Sequence, residues 1–367
     1  MTLPSTMTAV VKTKAAAGPQ ATEILTVPVP EPGQAEVLIK VLATAVCGSD
    51  KHIYQWDPSI NSMVEPPRIY GHEFCGEIVS FGPGGRRPHL SEGQYVSAEM
   101  HVTCGACRPC RTGQRHICEN TRILGVHGDG CFAQYVVVPA YNVVPLDRSI
   151  PPKVGAFLDA LGNAVHTTQV ADLSGKSVAV LGYGPIGAMC AEIARVSGAA
   201  RIAITEVNAQ AAAHARRWAK TRGLEAQVTV LDLARTKDPA GSLRVATGGG
   251  ADVVLELSGA ESSINLGLAA ARRGATIALL GIPRDKAVTI RDYTNDLVFK
   301  GLTLHAIIGR KIFETWIKML DLFRAGLDVE DLVTNEFEGL QDFYEAMKLL
   351  EDRSAMKVVF YPNGRPR

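Results

Sequence analysis

Hydrophobic and polar residues follow two different patterns along this chain. Up to about Leu161, short apolar runs such as residues 37–41 and 133–138 are separated by turns rich in glycine and proline. Many short strands with this punctuation indicate a β-rich, barrel-like domain. After that point, apolar strands alternate with helical stretches, beginning with a strand at 177–181 and a helix at 185–196. This alternation predicts βαβ units on a doubly wound parallel sheet, so the expected fold class is α/β.

The residues at the end of the chain depart from this alternation. After about Ala306 the pattern predicts two amphipathic helices and a closing strand. We expect this tail to return to the first domain. The predicted domains are therefore residues 1–162 together with 307–367, and residues 163–306.

Length and composition narrow the function classes. The chain has 367 residues, of which 46% are hydrophobic and 20% charged, and its net charge is +1. A near-neutral balance gives no electrostatic reason to expect nucleic acid or a membrane surface as a partner. No apolar run reaches the ~18 residues that cross a bilayer, and residues 1–14 lack the pattern of a secretory signal. We expect a cytoplasmic protein whose eight cysteines are thiols or metal ligands.

A glycine-rich turn lies between the first predicted strand and helix of the second domain. It fits the pattern G-x-G-x-x-G, with Gly182, Gly184, Pro185, Ile186 and Gly187 as the residues expected to contact a dinucleotide. Such a turn allows the pyrophosphate to approach the backbone and the N-terminus of the helix. Glu206 ends the next predicted strand, where a carboxylate can bind ribose hydroxyls and would repel a 2′-phosphate. The sequence therefore favours NAD over NADP.

Four cysteines lie within fifteen residues of one another in the first domain. They are Cys104, Cys107, Cys110 and Cys118. Four sulfurs in one loop match a closed, tetrahedral structural zinc site, although disulfides or unrelated buried thiols would also account for them.

A second set of residues has the chemistry of a catalytic metal site. Cys47 and His72 offer sulfur and imidazole, and Glu73 can ligate directly or order the site from behind. Asp159, at the predicted domain junction, could be a further ligand. Each of these residues alone has an ordinary structural interpretation, but together they indicate a metal site.

These residues carry a family resemblance that extends over nearly the whole chain. The chain resembles the zinc-containing medium-chain alcohol dehydrogenases and, within that family, is similar to the L-threonine 3-dehydrogenases. The segments that carry the resemblance are residues 47–57, 71–74, 101–118, 162–167 and 309–316. It implies a GroES-like catalytic domain, a Rossmann domain that binds NAD, two zinc ions per chain and a homotetramer.

The resemblance also implies roles for individual residues. Cys47, His72 and Glu73 would hold the catalytic zinc, with Asp159 as its exchangeable acidic ligand, while the four clustered cysteines would hold the structural zinc. Ser49 and His52 would form a proton relay, and His101 matches a histidine near the substrate pocket. We further expect the dinucleotide to contact Ser258, Gly281, Ile282 and Ile308.

The expected activity is zinc-dependent oxidation of a secondary alcohol by NAD, with L-threonine as the substrate and 2-amino-3-oxobutanoate as the product. The nearest alternative is the same chemistry on a polyol such as sorbitol, on 2,3-butanediol or on another hydroxy acid. Alternatives of another class are an inactive NAD-binding scaffold and a zinc-ribbon nucleic-acid module. The chain lacks the basic balance that such a module needs.

Overall fold

The computed structural model describes residues 3–366 of the chain. The strands, numbered along the chain, are β1 (Thr6–Lys12), β2 (Thr22–Pro28), β3 (Glu36–Ala45), β4 (Arg68–Ile69), β5 (Phe74–Phe81), β6 (Tyr95–Ala98), β7 (His101–Val102), β8 (Arg122–Ile123), β9 (Tyr135–Pro139), β10 (Val143–Pro145), β11 (Ser177–Leu181), β12 (Arg201–Glu206), β13 (Val228–Asp232), β14 (Ala251–Glu256), β15 (Ala271–Leu279), β16 (Thr303–Ala306), β17 (Val333–Glu338) and β18 (Lys357–Tyr361).

The helices are numbered in the same way. They are α1 (Gly48–Tyr54), α2 (Arg108–Arg111), α3 (Pro152–Gly155), α4 (Leu158–Thr168), α5 (Pro185–Val196), α6 (Ala209–Thr221), α7 (Pro239–Ala246), α8 (Glu261–Ala270), α9 (Glu314–Arg324) and α10 (Phe343–Glu351). Within residues 3–366, no helix combines the length and the apolar character needed to cross a membrane.

The first compact unit contains residues 1–160 and 332–367. Its main sheet has the strand order β10-β6-β5-β3-β18-β17, and β9 also pairs with β3. A smaller sheet, β2-β1-β4, and the pair β7-β8 complete the strands of this unit. Side chains such as Ile39, Phe74 and Phe360 are fully or almost fully buried in one hydrophobic core, because inward positions of these short strands are apolar. The β-rich first half that the sequence predicts is therefore present, with β17, α10 and β18 added from the end of the chain.

The second compact unit contains residues 161–331. Its six strands are all parallel and run in the order β13-β12-β11-β14-β15-β16. Strands such as β11 are buried along their whole length, as strands covered on both faces should be. The order reverses direction between β11 and β14, the point at which doubly wound sheets bind dinucleotides.

The boundary predicted at residues 306 and 307 differs from the structure, because residues 307–331 belong to the second unit. The buried carboxylate of Glu192 on α5 holds part of this segment. It accepts a hydrogen bond from the backbone N–H of Asp328 at 3.2 Å and lies 3.3 Å from the guanidinium of Arg222, which in turn pairs with Asp328 and Asp331. Only β17, α10 and β18 return to the first unit. The amphipathic pattern identifies helix α9 but does not show which core it packs against.

Candidate active site and cofactor site

Helix α1 carries the first group of candidate residues. Cys47 is its N-cap, and the Oδ2 atom of Asp50 accepts a hydrogen bond from the Cys47 backbone N–H at 2.8 Å. This capping arrangement satisfies N–H groups that the first turn of a helix leaves unpaired. It therefore fixes the position of the Cys47 thiol, with Ser49 in the first turn of the same helix.

A glycine immediately before His72 fixes the second group. Gly71 has φ of 90°, and a Cβ atom there would lie 2.5 Å from the ring of Phe132. Only glycine fits this position, because the backbone is in the left-handed region and the space is already filled. The turn leads into β5 and buries His72 and Glu73, which are 6% and 0% exposed.

Cys47, His72 and Glu73 converge on one point. Their ligand atoms all lie within 4.8 Å of one another. One carboxylate oxygen of Glu73 forms an ion pair with the buried Lys357, whereas the other, Oε1, is buried without a hydrogen-bond partner in the part of the chain that the structure describes. An unsatisfied buried oxygen beside a thiol and an imidazole is the environment that a zinc ion would complete, since zinc binds sulfur, nitrogen and oxygen ligands. These three residues therefore fit a zinc ion.

Charged neighbours set the ionisation of this site. Burial by itself lowers the pKa of His72, but the Asp50 carboxylate, with its Oδ1 atom 3.4 Å from Nδ1, raises it above its ordinary value. That contact has ion-pair distance without hydrogen-bond geometry. Burial likewise lowers the pKa of Lys357, yet Glu73 raises it above its usual value, so the Lys357 ammonium stays charged.

Ser49 and His52 occupy different surroundings. The Oγ atom of Ser49 lies 3.3 Å from Nε2 of His72, at the edge of the candidate metal site. His52 lies further along α1, where its side chain is 51% exposed and its Nδ1 atom is 3.5 Å from Asp57. No hydrogen bond joins Ser49 directly to His52 among residues 3–366. A relay between them therefore needs an intervening group.

Asp159 and His101 lie in a second cluster. The ligand atoms of Glu99, His101 and Asp159 lie within 4.8 Å of one another. The Asp159 carboxylate is also close enough to Glu73 to raise the pKa of Glu73, an effect smaller than that of burial. Asp159 thus lies beside the candidate zinc ligands without joining the set of three, a position suited to an exchangeable ligand.

The four clustered cysteines meet as the sequence predicts. Their sulfur atoms lie within 4.8 Å of one another, with 3.5 Å between Cys104 and Cys118 and 3.8 Å between Cys107 and Cys118. Four sulfurs at zinc-bonding distance from one ion would be about 3.8 Å apart. Backbone N–H groups of Cys107 and Ala106 lower the pKa of the Cys104 thiol to about 6, which favours the thiolate that metals bind. The lobe fits a closed zinc site.

In the second unit, the glycine turn lies between β11 and α5. Gly182 has φ of 97°, and a Cβ atom on Gly187 would lie 2.1 Å from the Gly182 carbonyl oxygen. Gly184 is the N-cap of α5 and makes no side-chain capping bond, and the space around its Cα is open. The first N–H groups of α5, those of Ile186 and Gly187, are thus left for an anion such as pyrophosphate, since Pro185 has no N–H.

Glu206 ends β12 and faces the same turn. Its Oε2 atom accepts the backbone N–H of Tyr183 at 2.7 Å, and its Oε1 atom accepts those of Val207 and Asn208, both at 2.8 Å. The carboxylate is half-buried and its orientation is set by three N–H groups. This arrangement holds a negative charge at the end of β12 and fits the ribose-binding position expected of Glu206.

The remaining predicted cofactor residues follow the carboxyl ends of the neighbouring strands β14, β15 and β16. Ser258 lies next to Gly182, since a Cβ atom on Gly182 would be 3.3 Å from the Ser258 Cβ. Gly281 packs against Gly259, and Ile282 and Ile308 are 89% and 61% exposed. The carboxyl ends of parallel strands share one edge of a sheet, so these residues and the glycine turn border the same edge.

Comparison with known proteins decides the family. A family model described as "Alcohol dehydrogenase GroES-like domain" matches residues 33–148, and one described as "Zinc-binding dehydrogenase" matches residues 185–325. The chain belongs to the zinc-binding alcohol dehydrogenase family. The predicted family, fold class, enzyme class and zinc cofactor are confirmed at this level.

Several members of this dehydrogenase family that resemble the chain along its whole length are L-threonine 3-dehydrogenases. An L-threonine 3-dehydrogenase from Caldanaerobacter subterraneus subsp. tengcongensis is 42% identical over 97% of this chain and 99% of that protein. The L-threonine 3-dehydrogenase from Pyrococcus horikoshii is 40% identical over 96% and 98%. Among solved structures, 2R,3R-butanediol dehydrogenase from Bacillus subtilis has a TM-score of 0.82 at 26% identity, covering 97% of this chain and 100% of that one.

Sequence reasoning gave no role to three residues at the candidate dehydrogenase site. Asp50 caps α1 and pairs with His72, Lys357 neutralises Glu73, and Glu99 contacts His101. A lysine within the apolar strand β18 is a signal of a buried ion pair, because an unpaired buried charge is costly. The partner of that lysine could not be read from the sequence, because it lies 284 residues away.

Proposed function

We propose that this zinc-dependent dehydrogenase oxidises the secondary hydroxyl group of L-threonine with NAD as the acceptor. The observation that carries the substrate is the similarity of about 40% identity to L-threonine 3-dehydrogenases over almost the full length of both chains. Sorbitol, 2,3-butanediol and other hydroxy acids are the alternative substrates. The similarity of the fold to that of a butanediol dehydrogenase is the reason to test the diol.

The proposed reaction assigns a task to each group of residues. Cys47, His72 and Glu73 would hold the catalytic zinc, with Asp159 as an exchangeable ligand. Zinc, when bound, polarises an alcohol oxygen and lowers the pKa of its hydroxyl group. Ser49 accepts the hydroxyl proton, a role supported by its place beside His72.

The proton then has to leave the site. His52 is half-exposed and would pass the proton to solvent, and a hydroxyl group of the coenzyme ribose would supply the link that the relay between Ser49 and His52 needs. The Asp57 carboxylate, with its Oδ2 atom 3.5 Å from Nδ1 of His52, would form an ion pair with His52 while His52 carries the proton.

The second unit binds the coenzyme. The glycine turn and the N-terminus of α5 bind the pyrophosphate, Glu206 binds the ribose hydroxyls, and residues 258, 281, 282 and 308 border the rest of the dinucleotide. The negative charge of Glu206 favours NAD over NADP.

We also propose a homotetramer in the cytoplasm. Strand β16 is an edge strand whose residues are mostly exposed, and the nearby Val298 and Phe299 are 51% and 62% exposed. An apolar sheet edge is a surface that a second copy can cover. All eight cysteines are thiols, which suits a reducing compartment.

A substrate panel tests the proposed activity. L-Threonine, L-serine, sorbitol and 2,3-butanediol are each oxidised with NAD and with NADP, and the formation of reduced coenzyme is followed. We expect the highest kcat/KM for L-threonine with NAD. A higher kcat/KM for the diol or the polyol, or for NADP, would contradict that part of the proposal.

Variants test the zinc ligands. Cys47→Ser should lower kcat more than about 100-fold while NAD still binds, because a metal site loses activity when a ligand changes. Cys190→Ser, a buried thiol of the second unit, is the matched control and should keep its activity. Wild-type activity in Cys47→Ser would rule out the assigned metal site.

A further inference from the structure

Glu256 is a buried carboxylate at the end of β14, where its side chain is 1% exposed. Its Oε1 atom accepts the hydroxyl of Ser258 at 2.6 Å and the backbone N–H of Ser258 at 3.0 Å. The backbone N–H of Gly259 lies 3.2 Å from each carboxylate oxygen. Among residues 3–366, no lysine, arginine or histidine lies within ion-pair distance of Glu256. Hydrogen-bond donors therefore stabilise the negative charge, but no cation neutralises it.

The Glu256 carboxylate packs against two loops that are expected to contact the coenzyme. The Glu256 carbonyl oxygen accepts the N–H groups of Leu280 and Gly281 at 3.0 and 3.1 Å. A Cβ atom on Gly281 would lie 2.7 Å from Oε2 of Glu256 and 2.1 Å from the nitrogen of Gly259. A Cβ atom on Gly259 would lie 2.4 Å from the carbonyl oxygen of Ile282. The loops that follow β14 and β15 thus touch each other directly above the carboxylate.

The strand order shows which half of the coenzyme these loops would face. A dinucleotide lies across the point where the order reverses, with one nucleotide on each side. Glu206, proposed to bind the adenosine ribose, ends β12 on one side of β11, and Glu256 ends β14 on the other side. The nicotinamide half therefore falls on the side of Glu256. Its ring carries a positive charge in NAD and none in NADH, because the transferred hydride cancels the charge.

We propose that Glu256 is a specificity-determining residue for the redox state of the coenzyme. Its buried negative charge attracts the positive nicotinamide ring of NAD and has no such attraction for the neutral ring of NADH. A buried charge is screened by water less than a surface charge, so it acts over a longer distance. Glu256 thereby strengthens the binding of NAD relative to NADH, which suits an enzyme that oxidises its substrate. This inference rests on the proposed function, because it uses the proposed NAD site.

Binding titrations test the role of the charge. The zinc-loaded protein is titrated with NAD and with NADH in a calorimeter, without any alcohol. Glu256→Gln removes the charge but keeps the size of the side chain and an oxygen that accepts N–H groups. The Kd for NAD should rise about fivefold or more, while the Kd for NADH stays within about twofold. An unchanged Kd for NAD, or an equal rise in both Kd values as expected from a loosened loop, would overturn the proposal.

Glu261→Gln is the matched control. Glu261 is an exposed carboxylate in the first turn of α8, the helix that follows the same loop. Solvent screens an exposed charge, so the ratio of the two Kd values should stay within about twofold of wild type. If Glu261→Gln changed this ratio as much as Glu256→Gln, the total charge of the protein would set the preference and the proposal would be wrong.

An uncharged analogue of NAD tests the proposal on wild type itself. Benzamide adenine dinucleotide carries a flat ring of the same shape as the nicotinamide of NAD, without its positive charge. Wild type should bind NAD about fivefold or more tightly than this analogue, and Glu256→Gln should bind the two within about twofold of each other. Equal affinities in wild type would overturn the inference, even if Glu256→Gln did not fold.

These measurements also separate the inference from the proposed substrate. Because no alcohol is present, oxidation of a diol or a polyol instead of L-threonine would contradict the proposed substrate and leave the role of Glu256 intact. Failure of wild type to bind NAD would overturn the proposed function and, with it, this inference.

Discussion

Lys12 is a buried lysine whose nearest polar partners are backbone carbonyl groups. Its side chain is 0% exposed and its ammonium donates to the carbonyl oxygens of Ala16 and Tyr54, with the ring of Trp56 5.1 Å away. No carboxylate lies within ion-pair distance of it among residues 3–366. Because Tyr54 ends α1, this ammonium binds the carbonyl end of the helix that carries Cys47 and Ser49.

The charge on Lys12 makes stability depend on pH. Burial lowers the pKa of Lys12 from 10.5 to about 8. Between these two values the unfolded chain holds the proton and the folded chain does not, so the free energy of unfolding rises as the pH rises through that window. In Lys12→Met this contribution is absent. The stability of wild type relative to the variant should therefore increase from pH 8 to pH 10, by up to about 1 kcal/mol per pH unit.

Denaturant unfolding of both proteins at several pH values measures this difference. The exposed neighbour Lys14 supplies the matched control, since Lys14→Met should leave the pH dependence unchanged. If the difference in the free energy of unfolding between wild type and Lys12→Met stays constant from pH 8 to pH 10, burial does not lower the pKa of Lys12.

At the scale of elements, the cysteine lobe depends on its metal more than on packing. Its helices are short, since α2 has four residues and a 3-10 turn at Arg115–Ile117 has three, and Cys104 is exposed. The spacing of the cysteines was enough to predict that they meet, because all four lie in one loop. The candidate catalytic ligands come from separate elements, and only their residue types, together with the family resemblance, indicated that they would meet.

Cys107→Ser tests the lobe. We expect the zinc content to fall by one ion per chain and the Tm to fall by about 5 °C or more, because a structural zinc is coupled to local folding. Cys75→Ser, at a buried thiol outside the lobe, should leave the zinc content at the wild-type level. Metal analysis together with thermal unfolding measures both effects. Two zinc ions in purified Cys107→Ser would show that this sulfur is not a ligand.

At the scale of the whole molecule, periodicity predicted the parallel sheet, because helices and strands alternate with little interruption from β11 to β15. It did not predict β17 or the place of residues 307–331. That segment belongs to the second unit through the buried carboxylate of Glu192, and long-range ion pairs leave no periodic trace in a sequence. Lys357 and Glu99 were missed for the same reason.

The exposed edge of the parallel sheet gives a prediction about assembly. Leu304 on β16 is 38% exposed, and Leu304→Lys places a charge on this apolar edge. Light scattering after size exclusion should give the mass of four chains for wild type and a smaller assembly for the variant. Val245→Lys is the control, because Val245 is 80% exposed on α7. Helix α7 packs on β12 and β13, at the edge of the sheet opposite to β16. A monomeric wild type would contradict the tetramer.

Glu206 links coenzyme choice to the folding of the second unit. The carboxylate proposed to exclude a phosphorylated ribose is the same group that ties together the backbone of Tyr183, Val207 and Asn208. An engineer who replaces it with a neutral or basic residue to recruit NADP also releases three N–H groups. Redesign of the coenzyme preference therefore needs a second substitution that supplies new hydrogen-bond acceptors. A single replacement of Glu206 would change the coenzyme preference but would also leave the backbone around the glycine turn less well held.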